Sequence, residues 1–390
     1  MLLYRASREA IPLFALYALL FAEHGLTTSQ IGVLLAAWSV SAFLLEVPSG
    51  AWADLVDRRL LLIVSGAVYA VAFATWLLWP SFWGFLVGFV LWSLSDSLRS
   101  GTYEAYLFDE LTAAGRPDRY GPVKARAESV TVLVMAAAIG LAGPLHALGG
   151  YALVGLVSVG AAVLHTLLAV ALPKVTRAVT DIEDAPDPEP ASIRAWASTV
   201  RAGVREAAGS SAVRRVLMGV ATVVALVGLD EFFPLIFAEG GTSVGLIAWV
   251  LAGVSLLEAV ATWSASAVAR LTGVPHAAIV AAGGLLLAAG AWLTGPWSYL
   301  AVALGYALAT ASYISGDIRL QHAIAGTTRA TITSFAGLIA EAGFLVTLGL
   351  VSVGTLQIDL GPVAAAVALA LTVPSAIAAF RSPPAVKEPR

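Results

Sequence analysis

Apolar residues fall along this chain in twelve long runs, separated by short polar intervals and by one longer one. The runs lie at roughly 7 to 22, 30 to 53, 60 to 79, 82 to 108, 122 to 147 and 151 to 172, and then at roughly 213 to 237, 244 to 269, 275 to 294, 297 to 321, 328 to 354 and 361 to 380. About 20 consecutive apolar residues let a helix cross hydrocarbon, where no water is available to the backbone. A barrel strand would alternate polar and apolar positions, and these runs do not. The pattern predicts an all-α integral membrane protein of twelve transmembrane helices in two pseudo-equivalent six-helix bundles, residues 1–172 and 212–390, joined by a cytoplasmic central loop at 173–211. Arg5 and Arg8 precede the first run as they would in a signal peptide, but no small-x-small site follows and a second run begins almost at once. The first run is therefore read as a span.

The central loop opens on "DIEDAPDPEP", acidic and broken by proline, and continues as "ASIRAWASTVRAGVREA", in which Ile193, Trp196, Val200 and Val204 recur at helical spacing. This predicts a flexible linker and then an amphipathic helix lying on the cytoplasmic membrane surface, with a plain connector as the alternative. Arg58, Arg59, Arg116, Arg119, Lys124, Arg126, Arg270, Arg319 and Arg329 all fall in or beside alternate loops. The opposite loops, "AEHGLTT", "PS", "LGG", "EGGTS", "TGP" and "TLQIDLG", hold no Lys or Arg. That bias predicts a multi-pass protein of the cytoplasmic membrane with both termini cytoplasmic, and it leaves Arg99 as the cation inside a span.

Composition agrees: of 390 residues, 59% are hydrophobic and only 12% charged, and mean hydropathy is +0.86, outside the usage of soluble domains. Cysteine is absent, which excludes disulfides and cysteine-based nucleophiles or metal sites. A net charge of −3 carries no nucleic-acid footprint. His146, His165, His276 and His322 are scattered without metal-ligand spacing, and no H-E-x-x-H or Walker loop occurs. An enzyme, a metal site, a cofactor and an ATP-driven pump are thus not expected. The expected partners are a small-molecule substrate, protons and the lipid bilayer, for a protein acting as a monomer.

The stretch "EVPSGAWADLVDRR", residues 46 to 59, places Asp54, Arg58 and Arg59 between the second and third spans. A carboxylate at Asp54 can sit against the exposed amides of another helix, such as one beginning at Thr327 or Thr328, and Arg58 and Arg59 can pair with Asp109 or Glu110. Such contacts would latch the two bundles on the inside. A stop-transfer cluster that only sets topology explains the arginines but not Asp54. "FAEHGLTTSQIG" at 21 to 32 recurs as "FAEGGTSVG" at 237 to 245, and "LLEV" at 44 to 47 as "LLEA" at 256 to 259, as in transporters built from two equivalent bundles. Gly50, Asp54, Arg58 and Arg59 resemble the signature loop of the major facilitator superfamily, roughly G-x-x-x-D-x-x-x-R-[RK], with Leu55 where many members carry Arg and Asp57 where the pattern has Gly. "EVPSGAWAD", "SGTYEAYLFDEL" at 100 to 111 and "RATITS" at 329 to 334 look like stretches of its bacterial exporter-like branches. The resemblance implies the major facilitator fold and a conformational latch at Gly50, Asp54, Arg58, Arg59 and Asp109. Gly143, Pro144, Gly149 and Gly150 are similar to the span-five motif of its antiporters, G-P-x-x-G-G, with a spacing longer by two.

Ionisable residues inside spans are expensive and should face the bundle interior or water: Glu46, Asp96, Arg99, Asp230, Glu231, Glu258 and Glu341. Their acidic bias favours protons or cationic substrates over anions. Trp92, Asp96, Arg99 and Tyr103 share one helix face in span four, and Tyr306, Thr310, Tyr313 and Asp317 repeat the geometry in span ten. These stripes, with Phe233 and Phe237 beside Asp230, are read as substrate-cavity walls, with Asp96 and Arg99 either neutralising one another there or forming a buried structural pair. Asp230 and Glu341, then Glu231, are the expected proton-coupling acids, with interhelical hydrogen bonding as the alternative. Pro234 is a candidate hinge, and Glu46 and Glu258, at matching places in spans two and eight, are expected in gating. The expectation is a proton-coupled secondary exporter of amphipathic neutral or cationic small molecules working by alternating access. An uptake symporter of the same fold and a non-transporting scaffold or receptor are the alternatives.

Overall fold

The computed structural model describes the chain except residues 175–200, 202–204, 206–208, 324–328 and 384–390, and except the side chains of 46–55, 329–331 and 334. The expected amphipathic helix, most of the linker, Thr327 and Thr328, and the side chains of Glu46, Gly50 and Asp54 lie outside the described residues.

Most described residues of the expected spans are helical, and several ends are set by local capping. Asp57 caps Arg58–Leu78, its carboxylate accepting from the Leu60 amide at 2.8 Å. The residue that departs from the glycine of the signature loop therefore starts span three. Ser81 caps Phe82–Arg99 through the Gly84 amide, and Ser210 caps Ser211–Val227 through the Val213 amide. Each such cap is worth about 1 kcal/mol. Spans two, eight, nine, ten, eleven and twelve are the helices Thr28–Leu55, Val244–Val268, Val274–Trp292, Pro296–Ala323, Arg329–Gly354 and Leu360–Arg381. Spans five and six run together as Tyr120–Val170 around a turn at Gly149 and Gly150, the latter at φ 62°. Those two glycines make the hairpin between spans five and six.

Three expected spans are not continuous helices. Span one divides into Leu2–Ser7, a 3₁₀ turn at Pro12–Ala15 and Tyr17–Glu23. Pro12 has no amide to donate, and Ile11 before it is extended. Span four stops at Arg99, and a new helix, Thr102–Ala113, begins after Gly101 at φ 70°, a conformation that favours glycine. Span seven stops at Val227, passes through a 3₁₀ turn at Gly228–Phe232, and resumes as Phe233–Glu239 with Pro234 in its first turn. Nine stretches of the described residues are long and apolar enough to cross a membrane. One of them is the span five and six pair, and the broken first span and the charged fourth lie outside the nine.

Two compact units result: Met1–Tyr17 with Ala37–Trp196, and Ala18–Ala36 with Ala197–Arg390. The first has a core of Tyr4, Leu62, Tyr103, Tyr106, Leu107, Ala169 and Leu172. The second is centred on Val213, Val216, Leu217, Val220, Leu320, Ile332 and Ala336. Ala18–Ala36 belongs to the second unit rather than the first: Gly32 lies so close to span eleven that a Cβ there would fall 2.0 Å from Ser352 Oγ. Spans nine and ten approach through Gly283 and Gly305, where an added Cβ would meet backbone at 3.2 and 2.8 Å. Small residues let membrane helices pack backbone to backbone in this way.

Gly305→Ala should destabilise the protein by about 1–3 kcal/mol through overpacking against fixed backbone. Gly349→Ala, where the added carbon meets open space, should be neutral or stabilising. Thermal unfolding of both variants in detergent checks this, and equal melting temperatures would contradict the packing.

Candidate functional site

In the first unit the break in span one delivers a cation to the middle of span four. Arg8 is 2% exposed. Its Nη2 donates to Asp96 Oδ1 at 2.6 Å and its Nη1 to Ser95 Oγ at 3.1 Å. The guanidinium lies 3.9 Å from the Tyr69 ring centroid, and the Tyr69 hydroxyl donates to the Arg8 carbonyl. Ser95 is itself fixed by reciprocal bonds with Ser65 on span three, each hydroxyl donating to the other's carbonyl at 2.8 Å. Arg99 Nη2 stands 3.7 Å from the same Asp96 oxygen. Arg99 is therefore not the lone cation in the spans: Arg8 is the nearer partner of Asp96, and Arg99 is the looser one. Nearby, Arg5 grips Glu128 through two bonds of 3.0 and 2.9 Å and also reaches Glu9.

One turn before Asp96, Trp92 is the hub of an aromatic cluster drawn from spans one to four. Its ring centroid lies 5.2 Å from Phe14, 5.6 Å from both Trp38 and Phe73, 6.0 Å from Trp76, 6.1 Å from Phe89 and 6.2 Å from Tyr69. Phe73, Trp76, Phe89 and Tyr69 are buried, whereas Phe14, Trp38 and Trp92 are half-buried and present ring surface. Trp38 Nε1 has no hydrogen-bond partner among the described residues. Tyr103 does not share this face as expected. The turn at Gly101 redirects the chain, and Tyr103 is buried in the unit's core beside Tyr4.

In the second unit the broken span seven places Asp230 in its 3₁₀ turn, where Oδ2 accepts from the Tyr306 hydroxyl at 3.0 Å. Phe233 meets Tyr306 edge to face at 5.5 Å, and Phe237 meets Tyr299 likewise at 5.2 Å. Glu231 and Glu258 are the charged neighbours of Asp230. Glu258, expected in gating, thus belongs to the surroundings of Asp230. Asp317 and Glu341 are charged neighbours of Tyr313. Thr310 is buried with its hydroxyl unpartnered among the described residues, and Asp317 is exposed.

Arg58 pairs with Asp109, and Arg59 donates to the Val170 carbonyl at the end of span six. Both contacts lie within the first unit. The Arg58–Asp109 pair is the one expected from the sequence, and both contacts tie helices of the first unit together. Arg319, placed by sequence at a loop, is also buried and donates to the carbonyls of Val268, Leu271 and Pro383, where helix C-termini favour a cation. His165 and His276 are held locally, by Ser7 at 2.9 Å and the Ala379 carbonyl at 3.0 Å.

The profile of the Major Facilitator Superfamily matches residues 2–347. The chain belongs to the major facilitator superfamily. No curated protein gives a significant match. Among solved structures the protein is similar to a bacterial homologue of the human lysosomal transporter Spinster, with 16% identity over 97% of this chain and 93% of that one and a TM-score of 0.72. It is also similar to the nucleoside transporter NupG, with 14% identity, 97% and 95% coverage and a TM-score of 0.69. A D-xylose–proton symporter gives 12% identity, 98% and 96% coverage and a TM-score of 0.70. At these identities the likeness is one of fold. The major facilitator fold accounts for the twelve spans and for the two pseudo-equivalent bundles, and a member of this superfamily is a secondary transporter rather than an enzyme.

The signal that sequence reading missed was Arg8. It stood inside the first apolar run but followed Arg5 so closely that both were assigned to the flank. With Arg8 gone, Asp96 would keep only the looser Arg99. Arg8→Ala should therefore cost about 3–5 kcal/mol, the range for breaking a buried ion pair, and Asp96→Asn should recover part of it. Arg99→Ala should cost about 1 kcal/mol or less. Unfolding of the three variants in detergent tests the assignment, and a larger loss for Arg99→Ala would reverse it.

Proposed function

We propose that the protein is a proton-coupled secondary transporter that exports amphipathic small molecules by alternating access. The observation carrying this reading is the different chemistry of two equivalent places. Aligning Phe21 with Phe237 sets Phe14 of span one against Asp230 of span seven, and the matching stripes of spans four and ten set Trp92 against Tyr306. In the first unit this place is a stack of two rings at 5.2 Å. In the second it is a carboxylate bonded to a phenol at 3.0 Å. The first suits the flat apolar body of a substrate, since ring contacts add about 0.5–1.5 kcal/mol beyond area burial. The second suits a proton, because a carboxyl that gains and loses one changes whether its span carries a charge through hydrocarbon.

Asp230 is the proposed proton carrier, with Glu231 and Glu258 as its electrostatic surroundings. Glu341 is the alternative carrier, grouped with Tyr313 and Asp317. Phe14, Trp38 and Trp92 are the proposed substrate surface, with Asp96 and Arg99 at its polar end. Export is supported by the resemblance of "EVPSGAWAD", "SGTYEAYLFDEL" and "RATITS" to exporter-like branches. The Lys and Arg bias of the loops supports a cytoplasmic membrane protein with both termini inside. Each group of site residues is complete within one unit, which supports a working monomer.

The test is transport into proteoliposomes under an imposed pH difference, over a panel of amphipathic aromatic compounds with protein-free liposomes as control. Antiport gathers substrate in the acidic compartment, and symport gathers it in the alkaline one. Asp230→Asn should abolish uphill accumulation while sparing counterflow exchange, which needs no net proton movement. Uphill transport that survives in Asp230→Asn would move the proton site to Glu341, and accumulation on the alkaline side would make the protein an importer.

A further inference from the structure

The acidic bias along the sequence favours cationic or neutral cargo, but the first unit sets two arginines beside one shared carboxylate. Arg8 and Arg99 meet at the one carboxylate of Asp96, while Glu9, the other acid near Arg8, is bonded to Arg5. The two arginines are also unequally used. Arg8 has a carboxylate, a hydroxyl and a ring as partners, so its charge and two of its nitrogens are occupied inside the protein. Arg99 makes only the 3.7 Å approach to an oxygen that Arg8 already holds at 2.6 Å, and its buried Nε has no hydrogen-bond partner among the described residues. A guanidinium has five N–H donors and no acceptor, so an under-used one beside a neutralised pair is a site for an acceptor carrying negative charge.

Position agrees with charge. Trp92 and Arg99 lie two turns apart on one face of Phe82–Arg99, with Asp96 between them. Asp96 and Arg99 side chains are 31% and 22% exposed, and the rings of Phe14, Trp38 and Trp92 are half-buried. Partly exposed ring surface and guanidinium thus lie along one helix face.

We infer that Arg99 binds the anionic group of an amphipathic substrate, a carboxylate or similar oxyanion joined to a flat aromatic body that lies on Phe14, Trp38 and Trp92. Arg8 is a positioning residue: it neutralises Asp96, so that Asp96 does not compete with the substrate for Arg99. This inference rests on the reading of the ring surface as the substrate surface.

Three probes of one shape and different charge test it: 2-naphthoate, 2-naphthamide and 2-naphthylmethylammonium, titrated calorimetrically at neutral pH into the full chain in nanodiscs, with empty nanodiscs subtracted. Native protein should bind naphthoate about tenfold or more tightly than either other probe, the scale of a charge-assisted guanidinium contact. Arg99→Gln should bring the ratio of naphthoate to naphthamide affinity close to one, and Arg99→Lys should restore part of the preference. Trp92→Leu should weaken all three probes together. Equal binding of the three by native protein, or tightest binding of the ammonium, overturns the inference while leaving the ring surface intact. No saturable binding of any probe overturns the ring surface and the inference with it. If Arg99→Gln is not recovered as folded protein, the ranking on native protein decides alone.

Discussion

Hydrocarbon offers no hydrogen-bond partner, so a spanning helix can break only where the protein itself covers the freed backbone. The rest of this structure follows from where such breaks were tolerated. There are three among the described spans, and each carries the chemistry of its unit. The interruption between Ser7 and Pro12 places Arg8. The end of span four before Gly101 places Arg99. The 3₁₀ turn at Gly228–Phe232 contains Asp230 and Glu231. The cover is visible in the first case, where the Tyr69 hydroxyl donates to the Arg8 carbonyl and the Leu13 amide donates to Ser158 Oγ at 3.0 Å. Polar side chains and irregular backbone thus occur together because each needs the same dry, partner-rich surroundings.

The two units use one plan for different chemistry. Spans one and four meet through rings, and spans seven and ten meet through a carboxylate and a phenol, at places that the internal repeat makes equivalent. The first unit adds a buried cation that the second lacks at the matching position, where Arg8 aligns with Val224. The buried arginine of the second unit among the described residues, Arg319, is spent on helix-end carbonyls. The contrast between a ring stack and a carboxylate–phenol pair is therefore built from side-chain changes at equivalent places.

The described charges after span two make contacts within the first unit. Asp57 starts a helix, Arg58 finds Asp109, and Arg59 finds the end of span six, all within the first unit. The three of these charges whose side chains are described serve capping and intra-unit pairing.

The sequence by itself determined how many spans there are and where most of them end. A helix satisfies its own backbone, so a run of apolar residues suffices to specify it, and a cap such as Asp57 or Ser81 is decided within four residues. It also determined which residues share a helix face: Trp92, Asp96 and Arg99 were legible together, as were Asp230, Phe233 and Phe237. The tertiary structure alone decided which faces meet. Arg8 and Asp96 are 88 positions apart, and the rings around Trp92 come from four spans, so nothing periodic along the chain could pair them. Tyr103 fell out of the expected stripe because one positive φ at Gly101 rotates everything after it. Partners for buried charge and aromatic surface are set by three-dimensional packing and long-range electrostatics, whereas span formation is set by a backbone that bonds to itself.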